Sequence, residues 1–135
     1  MDFIEDELLS GELVPVLLGT SAEAMQTARR FFKKYGTVSH VFCHRLPLTS
    51  RLSFSVKYHP IQHSAGDLLM LTALKDFAKQ LGNADLILYL IPCTEDYRVF
   101  CAAHAQALEP YYVIVQPEQL EHDTLPYLIK EELPL

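Results

Sequence analysis

The sequence is poor in the features that mark several common functional classes. Its three cysteines, Cys43, Cys93 and Cys101, are odd in number and irregularly spaced, which argues against a disulfide framework and favours a reducing compartment. No apolar run approaches the roughly 18 residues that a membrane span requires. The N-terminus is acidic where a signal peptide is basic. We therefore expect a cytoplasmic protein that neither enters nor crosses a membrane.

Basic residues are also few. Lysine and arginine total 11 against 17 aspartates and glutamates, which gives a net charge of −6. Only one short stretch concentrates the positive charge, and it holds Arg29, Arg30, Lys33 and Lys34. Nucleic-acid surfaces carry a larger basic patch than this. We expect no nucleic-acid partner.

Glycine is scarce at the turn where a nucleotide-binding motif would need it. The apolar residues 13–18 stop at Gly19-Thr20-Ser21 and are followed by an alanine-rich helical pattern, which is how many α/β domains begin. A single glycine meets neither the dinucleotide fingerprint nor the phosphate-binding loop of nucleotide hydrolases. Gly19 is compatible with a tight turn alone, or with a turn whose backbone N–H groups hold a phosphate or carboxylate.

What is present is an ordinary globular composition: 50% of the 135 residues are hydrophobic, enough to build one domain. Residues 1–12 contain five acids and no base, and we interpret them as an acidic leader, either mobile or a short surface helix. Residues 13–135 are interpreted as a single domain. Strands are predicted at 13–18, 38–43, 54–58 with a continuation toward Ile61, 85–91 and 111–115. Helices are predicted at 22–35, 64–81 and 95–108, with a weaker helix from Pro117.

Strands that alternate with helices predict a Rossmann-like three-layer αβα fold with a mainly parallel sheet. Ligands of such folds lie at the carboxyl ends of the strands. This rule nominates three loops: residues 19–21, residues 46–51 with Arg51, and residues 92–96. Arg51 is either a solvated charge or an anion ligand.

Cys93 precedes a helix start that could lower the pKa of its thiol, but the burial habits of cysteine favour a small residue in a tight turn. The sequence contains no serine-nucleophile motif. His59 and His63 are four residues apart with Pro60 between them, and no second ligand cluster follows, so we expect no metal site. His104 is interpreted as a hydrogen-bonded core histidine.

Several motifs, in their order and spacing, resemble one known family. They are Val14-Pro15-Val16-Leu17-Leu18-Gly19-Thr20-Ser21, Ala28-Arg29-Arg30-Phe31, Tyr35-Gly36, Thr49-Ser50-Arg51, Leu90-Ile91-Pro92-Cys93, Asp96-Tyr97 and Tyr111-Tyr112-Val113. Together they resemble the N-terminal pre-ATP-grasp domain of ATP-grasp carboxylate–amine ligases, and most of all the D-aspartate ligases of peptidoglycan cross-bridge synthesis. The resemblance extends over about residues 4–120.

This resemblance implies a ligase that activates a carboxylate with ATP and Mg²⁺ and couples it to an amine. The groups that hold ATP and Mg²⁺ lie in domains that follow the matched region, so no catalytic residue and no cofactor is expected in this chain. Gly19, Thr20, Ser21, Arg51, Cys93 and Asp96 are the candidates for lining the substrate cleft. The implied partners are the ATP-grasp domains of the same polypeptide and a small carboxylate or amino acid, and a homodimer is a further possibility.

The alternative that the residues leave open is a free-standing Rossmann-like module that binds a small molecule or another protein. A thiol enzyme that uses Cys93 is a third interpretation.

Overall fold

A computed structural model describes residues 13–48, 55–62, 66–82 and 86–121. Within these residues, five strands form one sheet: β1 (Leu13–Leu18), β2 (Ser39–Cys43), β3 (Val56–Pro60), β4 (Ile87–Pro92) and β5 (Val113–Ile114). The strand order is β3-β2-β1-β4-β5, and every pairing is parallel. The predicted Rossmann-like α/β class is confirmed.

The helices follow from local signals in the sequence. They are α1 (Ala22–Tyr35), α2 (Asp67–Leu81), α3 (Glu95–Ala103), α4 (Ala105–Leu108) and α5 (Pro117–Glu121). Ser21 caps the start of α1, and Gly36 ends it in a left-handed conformation with φ 69°, which glycine adopts without a Cβ penalty. The predicted bounds of this helix are confirmed.

The sheet buries an apolar layer on each face because successive strand residues point to opposite sides. On one face, Leu17, Val41 and Ile91 pack with Ala28 and Phe31 of α1. The other face carries its own apolar layer, completed by α2, α3 and α4 through residues that include Met70, Leu74, Phe100, Cys101 and Leu108. The strand pattern therefore produces three layers.

The strand predicted from residue 54, with a continuation toward Ile61, extends from Val56 to Pro60. One predicted helix boundary is wrong. The single helix expected over 95–108 is interrupted at His104, whose φ of −116° and ψ of 23° depart from helical values. The imidazole there is partly exposed, and its Nε2 lies 3.1 Å from Oδ2 of Asp67. The interpretation of His104 as a core residue is corrected: it pairs with a carboxylate at the surface.

Other expectations lie outside the described residues. These include the acidic leader, the start of the helix predicted over 64–81, the strand start at residue 54 and the C-terminal residues 122–135. The first described residue of the α2 segment is Gly66, which precedes the helix without a side-chain cap.

Candidate functional site

The strand order places two of the nominated loops side by side. From β1 the chain proceeds outward to β2 and β3 on one side, while β4 and β5 occupy the other side. The order therefore reverses between β1 and β4, which is where ligands of open α/β sheets usually bind. Residues 19–21 follow β1, and residues 93–96 follow β4. The structure thus brings the first and third nominated loops together.

Backbone hydrogen bonds continue the sheet into both of these loops. The backbone N–H of Gly19 donates to the carbonyl of Phe42 at 3.0 Å, and the N–H of Cys93 donates to the carbonyl of Leu18 at 3.1 Å. Both bonds extend the pairing of the sheet by one residue beyond β1 and β4. The floor of the candidate site is therefore continuous backbone.

Gly19 is buried under side chains of the β4–α3 connection. Its φ is 104°, a conformation that side-chain-bearing residues rarely adopt, and a Cβ placed there would lie 3.3 Å from Cγ2 of Thr94 and 3.4 Å from Cδ2 of Tyr97. Glycine is required both by the backbone conformation and by the close packing. Of the two interpretations of Gly19, the structure supports a tight, filled turn.

Ser21 connects the two loops through its hydroxyl. Its Oγ accepts from the N–H of Ala24 at 3.2 Å, which caps α1, and donates to the carbonyl of Cys93 at 3.1 Å. The second bond joins positions 72 residues apart in the chain. Ser21 therefore caps α1 and also holds the β4 loop against this helix.

Cys93 does not have the environment of a reactive thiol. It is buried, and its Sγ lies 3.5 Å from the carbonyl oxygen of Ile91. Burial, with the nearby charge of Glu23, raises the pKa of the Cys93 thiol to about 12. This environment favours the interpretation of Cys93 as a small residue in a tight turn, because desolvation of the thiolate outweighs the helix dipole.

The remaining nominated residues differ in their exposure. Thr20 is partly exposed, and Asp96 is exposed in the first turn of α3. They are the solvent-accessible nominated residues among those that the structure describes, and we refer to them as the rim. Arg51 lies outside the described residues, so its placement relative to this rim stays a prediction.

An arginine that the sequence did not nominate joins three helices beside the site. The guanidinium of Arg98 lies 3.7 Å from Glu23 of α1, 3.5 Å from Glu95 of α3 and 3.8 Å from Glu118 of α5. Its Nε is buried and has no hydrogen-bond partner. Because these ion pairs are long and partly exposed to solvent, they hold the starts of α1, α3 and α5 together only weakly. An Arg with acids from three helices cannot be recognised from spacing along the chain.

The same end of the sheet also contains a pair of aromatic rings that the sequence did not indicate. The rings of His44 and Tyr97 stack with centroids 6.3 Å apart. Nδ1 of His44 lies 2.8 Å from the carbonyl of Ile61 and donates a hydrogen bond to it, because a carbonyl oxygen only accepts. Burial, followed by the nearby Cys43 and Asp96, raises the pKa of Tyr97 to about 12. Tyr97 is therefore a protonated hydroxyl at neutral pH.

A second unpredicted pair lies between β2 and β3 on the face covered by α2. Nδ1 of His40 and Nε2 of His59 are 2.9 Å apart. The His59 ring stacks on Phe42 with centroids 4.5 Å apart, and Phe77 of α2 contacts both histidines. The sequence could have placed His40 and Phe42 on one face by alternation, but the register that sets His59 beside Phe42 is a tertiary property.

Burial lowers the pKa of His40 to about 4, with further contributions from His59 and Lys57. Burial also lowers the pKa of His59, and Lys57 contributes. Both rings are therefore neutral at pH 7, one donating and the other accepting in the bond between them. His63, which lies four residues after His59 in the sequence, is outside the described residues.

Two further properties concern metals and membranes. Among residues 13–48, 55–62, 66–82 and 86–121, no group of three or more histidine, cysteine, aspartate or glutamate side chains is arranged to hold a metal ion. None of the helices in these ranges is long and apolar enough to span a bilayer.

Comparison of the chain with protein-family models, curated proteins and solved structures finds no match. The fold therefore defines a Rossmann-like α/β domain in which backbone hydrogen bonds continue the sheet past the carboxyl ends of β1 and β4.

Proposed function

We propose that this chain is an auxiliary domain of the pre-ATP-grasp type. It contributes substrate-binding surface to an ATP-dependent carboxylate–amine ligase, and it performs no chemistry itself. The family resemblance of residues 14–21, 90–93 and 96–97 motivates the proposal. The parallel sheet with its reversal between β1 and β4 is compatible with it.

One observation carries the non-catalytic part of the proposal. Two of the groups gathered at the carboxyl ends of β1 and β4 do not titrate near neutrality, since the pKa of Cys93 and that of Tyr97 are each raised to about 12. General acid–base catalysis works best with a group whose pKa lies near the working pH. These two side chains suit recognition better than proton transfer.

The accessible rim suggests what kind of molecule would be recognised. Thr20 offers a hydroxyl, Asp96 offers a carboxylate, and Gly19 is covered by Thr94 and Tyr97. A carboxylate on the rim suits the ammonium group of an amino acid better than it suits a nucleotide phosphate. We therefore propose a small amino acid as the ligand, with ATP and Mg²⁺ held by the catalytic domains of the ligase.

The test is an NMR titration of the ¹⁵N-labelled chain with D-aspartate, L-aspartate and Mg-ATP. We expect an amino acid to shift the amide signals of residues 20–21 and 94–97, and Mg-ATP to shift none. An Asp96→Asn variant should weaken amino-acid binding several-fold. Asp76→Asn changes an exposed aspartate of α2 and should leave binding unchanged.

Two results would contradict the proposal. Turnover of Mg-ATP by this chain at an enzyme-like rate would place the chemistry in these residues. Absence of any amino-acid shift at millimolar concentration would remove the substrate-binding role and favour the alternative, a free-standing module with a different ligand or a protein partner. A thiol enzyme is tested separately by the reactivity of Cys93, considered below.

A further inference from the structure

The outer face of α1 carries a stripe of exposed, positively charged side chains. Arg29, Arg30 and Lys33 are exposed and follow the i, i+1, i+4 spacing of one helical surface. Within the described ranges, no ion pair or hydrogen bond engages any of these three side chains. Phe32, beside them, is 42% exposed. The stripe therefore combines unpaired positive charge with an accessible apolar ring.

Chain direction determines which segment emerges next to this stripe. Because β1 and β2 are parallel, α1 returns the chain from the carboxyl end of β1 to the amino end of β2. The last turn of α1 and the first residue of β1 therefore lie at the same end of the sheet. Leu13 and Phe31 belong to one buried cluster. Leu13, to which residues 1–12 are joined, consequently lies at the same end of the sheet as the basic end of α1.

The segment that leaves there has the complementary chemistry. Residues 1–12 contain five acids, no base and the apolar residues Phe3, Ile4, Leu8 and Leu9. At about 3.3 Å per residue, twelve residues reach roughly 40 Å, whereas the 14 residues of α1 extend about 21 Å. The segment can therefore cover the stripe from its tether at Leu13.

We propose that residues 1–12 dock on the outer face of α1, with their carboxylates against Arg29, Arg30 and Lys33 and an apolar side chain against Phe32. This inference is independent of the proposed function, because α1 contacts the substrate rim only at its opposite end. The stripe is then a binding surface for an acidic, partly apolar segment, and the chain supplies that segment itself.

Zero-length carbodiimide cross-linking of the full chain tests the docking. This reagent joins a carboxylate to an amine only where the two are in contact, so Lys33 reports on the stripe. We expect trypsin digestion and mass spectrometry to find residues 1–12 linked to Lys33 in monomeric protein. A mixture of ¹⁴N- and ¹⁵N-labelled chains should yield products of a single label, which identifies the link as intramolecular.

A charge variant separates the electrostatic attraction of residues 1–12 to the stripe from the chemical reactivity of the Lys33 amine. Arg29→Gln with Arg30→Gln removes two charges and keeps the reacting amine of Lys33, and we expect the yield to fall about fivefold. The matched control, Arg45→Gln with Lys57→Gln, removes two exposed charges elsewhere and should keep the yield. Salt at 0.5 M should reduce the yield of the wild-type chain.

Three results would overturn the docking. The first is an unchanged yield in the Arg29 and Arg30 variant. The second is a link from residues 1–12 spread equally over Lys57, Lys75 and Lys79. The third is a product of mixed isotope label, which would assign the contact to a second copy of the chain.

Discussion

At the scale of single residues, Gly19 and Ser21 determine the conformation of the turn that follows β1. Gly19 lets the chain turn at a φ of 104° beneath Thr94 and Tyr97. Ser21 uses both hydrogen-bonding capacities of its hydroxyl, one for α1 and one for the carbonyl of Cys93. The turn after β1 is thus held by the same residues that the sequence nominated for binding.

Replacing Gly19 should be costly. In Gly19→Ala, the added methyl group meets Thr94 at 3.3 Å and the backbone must keep a conformation strained for alanine, so we expect the free energy of unfolding to fall by about 2–4 kcal/mol. Urea denaturation measures this loss. The control is Gly36→Ala, at φ 69° with no atom within 4 Å of the new Cβ, which should cost only about 1 kcal/mol. Equal losses in the two variants would show that packing over Gly19 is unimportant.

Single residues also show which features of the site could be predicted from the sequence. The helix cap at Ser21 and the glycine turn were predictable because capping and turn formation depend on neighbours along the chain. The raised pKa of Cys93 was not, because the environment of its thiol is formed by distant residues such as Glu23. Local signals therefore predicted the turn but not the chemistry of the thiol beside it.

At the scale of elements, α2 is fixed to the sheet partly through histidines. Phe77 packs on the His40 and His59 rings, and the hydroxyl of Tyr112 donates to the carbonyl of Leu74 at 2.6 Å. The helix itself was predictable from its apolar spacing. Its contacts were not, because they depend on the register of β3 against β2.

The histidine pair should make stability depend on pH. An unfolded histidine has a pKa near 6.5, whereas burial lowers that of His40 to about 4. Between these values the unfolded chain binds more protons than the folded one, so stability falls as the pH falls below about 6.5. Allowing for partial exposure of the rings, we expect a loss of about 1 kcal/mol between pH 7 and pH 5.

Urea midpoints measured across this pH range test the effect. In His40→Gln the ring with the more strongly lowered pKa is absent, and the pH dependence should become shallower. His104→Gln serves as the control, since His104 lies at the α3–α4 junction and pairs with Asp67. The assignment fails if the His104 variant flattens the profile and the His40 variant does not.

At the scale of the whole molecule, the three layers enclose every cysteine of the chain. Cys43, Cys93 and Cys101 are all buried and unpaired. The layered α/β class followed from the alternation of strand and helix patterns along the sequence. The strand order did not follow from it, because alternation alone does not specify which strands are neighbours, and the position of the candidate site depends on that order.

Thiol labelling should therefore report opening of the entire fold. Burial raises the pKa of Cys93 and that of Cys101 to about 12 each, so little thiolate is present at pH 7.5. With Ellman's reagent, we expect all three cysteines to react far more slowly than N-acetylcysteine, and to react fully in 6 M guanidinium chloride. Labelling of Cys93 faster than this free thiol would revive the thiol-enzyme interpretation.

The backbone pairing at Gly19 and Cys93 restricts how any ligand can be held. Their amide protons are committed to the carbonyls of Phe42 and Leu18, so they should exchange with solvent as slowly as the amide protons of the central strands. An anion at this edge would find these two donors already occupied. A phosphate or carboxylate bound here would therefore have to use other donors than the N–H groups of Gly19 and Cys93, such as those at the start of α1 or the side chains around it.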